Sequence, residues 1–285
     1  MRTVNSSNTL YRHVGKMILA TALFFSFFIS SASASESQAQ GSFQLVSVGV
    51  GDPDLITVRA IDRIQDSDII ICRPKVKQAF AEYLQDKTFW EGAFEEWRTW
   101  DQDCEDIEDR QKREECRRDR KVRQDLETRI RTAVKQGKTV SVLGQGDLLL
   151  YGGPYHWYLE ELADLEPEIV PGVSCLNAAN ANLGTELMGG KETSSTVLTH
   201  YKDIDKVAEH QPTLVIFTMH TEFSDLVQKL KEYYPRQTPI AVVFYAGYKD
   251  KEYRISGTLD TILEKTKGKD FPFEHLVYVG DFMAE

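Results

Sequence analysis

No Cys-x-x-Cys pair, no His-x-x-x-His pair, no Gly-x-Ser-x-Gly elbow and no surplus of positive charge occur in these 285 residues. Each absence removes support for a class of chemistry. Without paired cysteines or clustered histidines there is no motif for zinc or for attached c-type haem. Without the elbow, hydrolase chemistry of that type lacks its nucleophile. The tripeptide Gly137-Lys138-Thr139 falls short of a phosphate-binding loop, because the required glycine five residues before Gly137 is Thr132. It reads instead as the end of a helix and the start of a strand. A net charge of −10 argues against nucleic acid as a partner, since phosphate contacts need a basic footprint.

The N-terminus carries Arg2, Arg12 and Lys16, an apolar run from Met17 to Ile29, the small-residue stretch Ser31-Ala32-Ser33-Ala34, and a polar tail from Ser35 to Gln40. That order describes a cleavable secretory signal peptide over 1–34, too short for a comfortable membrane span. The expected location is the periplasm or the cell exterior, with no stable membrane span after cleavage. About 250 residues remain, enough for one large domain or two ordinary ones. All four cysteines, Cys72, Cys104, Cys116 and Cys175, lie in that remainder. An even count in an exported chain permits disulfides. Cys104 and Cys116 share a segment and could clip it; the state of Cys72 and Cys175 stays open.

From Gln44 onward, short apolar runs alternate with helical segments. Strands are expected at Gln44–Val48, Asp68–Cys72 and Thr139–Leu143, with a helix over Leu55–Gln65. This alternation indicates an α/β fold with a largely parallel sheet. Glu95 to Lys135 is dense in charge of both signs at i,i+4 distances, as expected of a solvated helix or helical hairpin. After the break at Pro171-Gly172, Ser174 can cap a helix running to Leu183, with Gly184 closing it. Strands follow at about Thr196–Thr199, Leu214–Thr218, Ile240–Phe244, Tyr253–Ser256 and Val277–Val279, with a helix from Thr221, as its N-cap, to about Tyr233. The fold class is therefore two α/β domains, 42–170 (with a charged helical insertion at about 95–135) and 171–285, with a ligand cleft between them.

Two strands end in Gly-x-Gly-Asp, at Gly49–Asp52 and at Gly144–Asp147. Glycine lets backbone approach a ligand closely and take φ > 0. In α/β sheets ligands bind beyond the carboxyl ends of the strands, so two such loops suggest one shared ligand. Gly49-x-Gly51 is followed by Asp54 where a dinucleotide fingerprint needs glycine, and a Rossmann site is poorly matched. His156, His200 and His220 are lone histidines without a neighbouring carboxylate at ligand spacing, and no metal is expected. Ser174 reads as a helix cap rather than a nucleophile.

With these residues in order, the chain resembles the tetrapyrrole methylases, the class of S-adenosylmethionine (SAM) methyltransferases that includes uroporphyrinogen-III and precorrin C-methyltransferases. The family's first loop, G-x-G-P-G-D-P-x-L-L-T, is matched by Ser47 to Thr57. Its G-D-P-x-x-Y-G turn is matched by Gly146 to Gly152, and its P-G-V-S-S segment by Pro171 to Cys175. The departures are Ser47 for the first glycine, Val50 and Leu148 for prolines, and Cys175 for the second serine. The resemblance implies SAM as cofactor, bound by Gly146, Asp147, Leu148, Tyr151, Ser174, Cys175, Met219 and Ala246. It implies a small-molecule tetrapyrrole over Gly49, Gly51 and Asp52, with Asp52 orienting substrate or accepting a proton, and a homodimer. Alternatives are an exported tetrapyrrole-binding protein of the same fold that has lost methyl transfer, and a methylase of another nucleophile such as a peptide amide.

Overall fold

The computed structural model describes residues 41–218 and 222–283, which belong to one compact unit. The expected leader and its cleavage site lie outside the described residues. Among the described residues no helix is long and apolar enough to cross a membrane.

The first sheet is built from β1 (Phe43–Ser47), β2 (Ile69–Cys72), β3 (Thr88–Trp90), β4 (Val140–Gly144) and β5 (Glu168–Val170), in the order β3-β2-β4-β1-β5. All four pairings are parallel. Such sheets are covered on both faces, and β1 (FQLVS) and β4 (VSVLG) are buried at every position. One face packs Phe43, Leu45, Val140 and Val142 against Ile130, Trp157 and Tyr158, and the other packs Val46, Ile70 and Leu143 against Ala60, Ile64 and Phe80. The buried polar residues of this layer satisfy one another. Ser67 and Ser141 share a 2.6 Å hydroxyl contact, and Ser141 donates to the Gln44 Oε1.

Around this sheet lie α1 (Val58–Gln65), α2 (Pro74–Ala79), α3 (Arg110–Lys135) and α4 (His156–Glu161). The helix expected from Leu55 begins later. Pro53–Leu55 forms a single 3-10 turn, and Thr57, whose hydroxyl accepts from the Ala60 N–H, caps α1. Within the charged segment Arg110–Lys135 forms one 26-residue helix rather than a hairpin, and a disulfide joins Cys104 to Cys116. Cys72 and Cys175 are free thiols. Gly137 does terminate α3, with φ of 80° and its N–H on the Val134 carbonyl, which accounts for the Gly-Lys-Thr tripeptide.

The second half opens with α5 (Cys175–Leu183), capped by Ser174 and closed by Gly184 at φ 68°, as expected. Its sheet comprises β6 (Thr196–His200), β7 (Thr213–Phe217), β8 (Pro239–Phe244), β9 (Tyr253–Thr258) and β10 (His275–Val279), ordered β6-β7-β10-β8-β9. Here β6 and β7 are parallel while the other pairings are antiparallel, so this sheet is mixed. Short helices α6 (Ile204–Val207), α7 (Phe223–Leu230) and α8 (Ile262–Lys265) accompany it. Glu222 occupies the N-cap position of α7 with no side-chain cap bond, and the expected cap, Thr221, is outside the described residues.

Candidate active site

The three glycine-bearing motifs, far apart in sequence, meet at one point. The Gly146 N–H donates to the Gly49 carbonyl at 2.8 Å, and the Val48 N–H donates to the Gly144 carbonyl at 2.9 Å. The Val50 N–H donates to the Val173 carbonyl at 3.0 Å, bringing in the third motif. Gly172 is wedged between the first two. A Cβ there would stand 2.6 Å from the Gly146 oxygen, 2.7 Å from the Ser47 Cβ and 3.0 Å from the Gly49 nitrogen. Such a Cβ would force these backbone segments to shift. Gly49, Gly51 and Gly146 all have positive φ, and a Cβ on Gly146 would meet nothing within 4 Å. One side of the Gly146 backbone is therefore open.

Two departures from the family pattern prove to be a pair. Ser47 and Leu148 are each 1 % exposed, and the Leu148 N–H donates to the Ser47 Oγ at 3.1 Å. Glycine at 47 would offer no acceptor, and proline at 148 would offer no N–H. The substitutions thus form one hydrogen bond that ties the second loop to the end of β1. Asp147 shapes the same turn, its Oδ1 accepting from the Leu149 N–H at 2.9 Å.

The first loop also anchors the second sheet. The Asp52 N–H donates to the Gly247 carbonyl, and its Oδ2 accepts from the Lys249 N–H, both at 2.9 Å. A Cβ on Gly51 would stand 2.1 Å from the Gly247 oxygen, so the two segments are in direct backbone contact. Lys249 pairs with Asp54 at 2.6 Å and Lys75 with Glu274 at 2.6 Å across the same seam. Asp52 holds the seam with one oxygen of its carboxylate.

Tyr151 spans the two halves. It carries φ of 77°, unusual for a residue with a Cβ, and is 46 % exposed. Its ring stacks on Phe217 at 4.8 Å and lies parallel to His200 at 6.1 Å, with interplanar angles of 7° and 8°. Neither Phe217 nor its stacking role was evident in the sequence. Ser174 is buried and spends its hydroxyl on Asn177. Burial pushes the Cys175 thiol pKa up, holding it neutral beside Ala246, which is buried in the core beneath α5. Met219, the remaining expected cofactor contact, and His220 lie outside the described residues. His156 is exposed at the start of α4, and the His200 Nδ1 accepts from the Lys202 N–H at 3.1 Å.

A histidine that sequence reading passed over, His275, lies half-buried beside this region. Its Nδ1 faces the Pro272 carbonyl at 2.5 Å, and since a carbonyl only accepts, Nδ1 carries the proton. Nε2 is then the acceptor for the Thr218 hydroxyl at 2.6 Å. Burial depresses its pKa below the usual 6.5. Cavities of about 370 and 520 Å³ open elsewhere, beside Leu183 and Arg254 and beside Phe223 and Phe271, and neither is lined by the three loops.

Among the described residues, three glycine-bearing turns join at the strand ends of an α/β fold, the place where such sheets bind small molecules. The chain belongs to the family of tetrapyrrole (corrin/porphyrin) methylases, whose family model matches residues 42–263. It is 29 % identical over 252 residues to the cobalt-precorrin-4 C(11)-methyltransferase of Methanocaldococcus jannaschii, covering 84 % of this chain and 87 % of that protein. It is likewise 29 % identical to the precorrin-4 C(11)-methyltransferase of Pseudomonas aeruginosa, covering 84 % of this chain and 89 % of that one. In fold it is similar to a cobalt precorrin-4 methyltransferase, with a TM-score of 0.66 at 18 % identity, covering 87 % of this chain and 98 % of the other. It is similar also to the uroporphyrin-III C-methyl transferase of Thermus thermophilus complexed with S-adenyl homocysteine, at TM-score 0.60 and 18 % identity, covering 85 % and 98 %. The chain is a SAM-dependent methyltransferase whose substrate class is the tetrapyrroles.

Proposed function

We propose that this protein methylates a ring carbon of a corrin- or porphyrin-type tetrapyrrole, with SAM held where Gly49, Gly146 and Gly172 converge. The observation that carries this reading is the open side of the Gly146 backbone, at a point where three motifs of the family pattern are locked together. The residues fit the donor. Backbone of Gly146, Asp147, Leu148, Ser174 and Cys175, the Tyr151 ring, Ala246 and Met219 would hold it, and Gly49, Gly51 and Asp52 would face the tetrapyrrole. When bound, SAM supplies a methyl group already activated by its sulfonium.

The chain's own residues then have a limited task. They hold the substrate carbon in line with the methyl group and exclude water, and such alignment can lower the barrier by about 7–11 kcal/mol. Rigid loops serve that purpose better than mobile ones. Asp52, with one carboxylate oxygen on Lys249, is positioned to orient substrate or to accept the proton released when a methylated ring carbon loses one. The two precorrin-4 methyltransferases point to a corrin-type precursor, and C11 is the first position to examine. The binding-protein alternative is not favoured, since the similarity to proteins named as methyltransferases runs along 84 % of the chain.

Export to the periplasm or beyond is supported by the leader pattern of 1–34 and by the Cys104–Cys116 disulfide, because disulfides persist in oxidising compartments. Fractionation of host cells followed by N-terminal sequencing checks it: a mature chain beginning at Ser35 agrees, and an intact cytoplasmic chain does not. Sizing by light scattering tests the homodimer. Titration calorimetry with SAM and S-adenosylhomocysteine tests the site. Absence of binding at millimolar ligand would sink the catalytic reading.

A further inference from the structure

We infer that Trp97 is a positioning residue for the ligand turn, held in place by an arginine-and-disulfide strut that the charged segment exists to build. This rests on the donor site proposed above and adds to it. The segment between β3 and α3 has little regular structure of its own, only the 3-10 turns Glu96–Thr99 and Cys104–Asp106. It is fastened to α3 by one stripe of residues at i, i+4, i+7 and i+10 spacing. Arg113 donates to the Ile107 carbonyl at 2.8 Å, Arg117 to the Glu105 carboxylate at 2.6 Å, and Arg120 to the Gln102 carbonyl at 3.1 Å. Arg123 donates to the Thr99 hydroxyl at 3.1 Å, to the Thr99 carbonyl at 3.3 Å and to the Glu96 carbonyl. The disulfide from Cys116 to Cys104 lies on the same stripe.

Arg123 is only 6 % exposed. Burying a guanidinium on backbone carbonyls is costly, and a solvated helix needs no such device. The arrangement fixes the turn that carries Trp97. A Cβ on Gly153 would lie 3.2 Å from the Trp97 ring, so the indole sits directly against the residue that follows the ligand turn. The other end of the segment is pinned as well. Arg73, just past β2, donates to the Phe94 carbonyl at 2.9 Å and to Glu95 at 2.6 Å, and the Trp157 Nε1–H donates to the Ala93 carbonyl at 3.1 Å.

At its opposite end the turn is equally confined. A Cβ on Gly144 would stand 2.3 Å from both the Tyr155 hydroxyl and the Leu148 side chain. The turn from Gln145 to Gly152 is thus braced by Tyr155 at its start and by Trp97 at its finish, with the Ser47 hydroxyl holding its middle. The strut sets where Gly146 and Tyr151 stand.

Hydrogen exchange of the turn amides, read beside SAM kinetics and S-adenosylhomocysteine titration, tests this in the purified full chain. Trp97→Ala should speed exchange at Leu148–Gly153 and raise KM for SAM about tenfold while kcat changes by less than about twofold, the pattern of lost binding without lost chemistry. Trp97→Phe should recover most of both, and Cys104→Ser/Cys116→Ser should fall between. Unchanged turn exchange and unchanged affinity in a folded Trp97→Ala would overturn the inference. If that variant does not fold, Cys104→Ser/Cys116→Ser decides, since a turn as protected as in the wild type, with equal KM, also overturns it. Failure of the wild type to bind S-adenosylhomocysteine would instead remove the proposed donor site, and the exchange data would still decide the strut.

Discussion

Replacing Ser47 with alanine should show whether two of the chain's four departures from the family pattern, Ser47 and Leu148, act as one device. The Ser47 Oγ is the acceptor for the Leu148 N–H, and both residues are 1 % exposed. Alanine removes the acceptor and leaves a buried N–H unpaired, at a cost of about 1–3 kcal/mol. Taking about 2 kcal/mol, the melting temperature of a chain this size should fall by roughly 4–8 °C. Affinity for S-adenosylhomocysteine should fall with it, because Leu148 sits in the turn proposed to face the donor. The discriminating comparison uses Leu148→Pro as a second background. Proline has no N–H to strand, so Ser47→Ala should cost there no more than a few tenths of a kcal/mol, and the two changes should couple by about 1–2 kcal/mol. Differential scanning calorimetry on the four proteins reads this coupling. Equal cost of Ser47→Ala in both backgrounds would refute the pairing.

Gly172→Ala should be more damaging to binding than to folding, since its Cβ would push on the Gly146 carbonyl and Ser47 together. An overpacking cost of about 1–3 kcal/mol expressed at the site weakens S-adenosylhomocysteine by roughly 5- to 150-fold by calorimetric titration. Opening the disulfide with Cys104→Ser/Cys116→Ser releases a loop of sequence separation 12, for which the chain-entropy relation gives about 3 kcal/mol, measurable as a lower urea midpoint. His275 is held neutral by burial, its pKa below 6.5 in the folded chain. The unfolded chain therefore gains a proton first as pH falls through that value, and stability contributed above it is lost on acidification. Urea midpoints measured from pH 7.5 down to 5 should fall less steeply in His275→Gln than in the wild type, and parallel slopes would assign the acid sensitivity elsewhere.

Much of the fold was legible because its determinants are local. Apolar runs bounded by turn residues marked all three inner strands of the first sheet, and Ser174 with Gly184 marked both ends of α5. The strands that escaped, β3 and β5, are three residues long, lie at the edges of the sheet, and are partly exposed, so their pairing with β2 and β1 carries more information than their composition. The mixed second sheet could not be told from a parallel one, because strand direction depends on which neighbours pair. At the site, the glycine motifs were readable as loops, yet their convergence was not. The Ser47–Leu148 bond joins residues 101 apart, and the Gly172 wedge has meaning only once Gly49 and Gly146 are beside it. His275 had no sequence signal at all, being one polar residue at the head of the apolar strand HLVYV. Of the charged segment only Arg110–Lys135 is the helix expected, and its arginines read as solvated until their carbonyl partners were placed.

Transfer of an isotopically labelled methyl group from SAM to a cyclic tetrapyrrole, followed by mass spectrometry and carbon NMR of the product, decides the matter. The protein should yield a tetrapyrrole one methyl heavier, labelled at a ring carbon, with an equal amount of S-adenosylhomocysteine. A tetrapyrrole that binds the protein and is recovered unlabelled, with SAM unconsumed, would contradict the assignment of this cleft to methyl transfer.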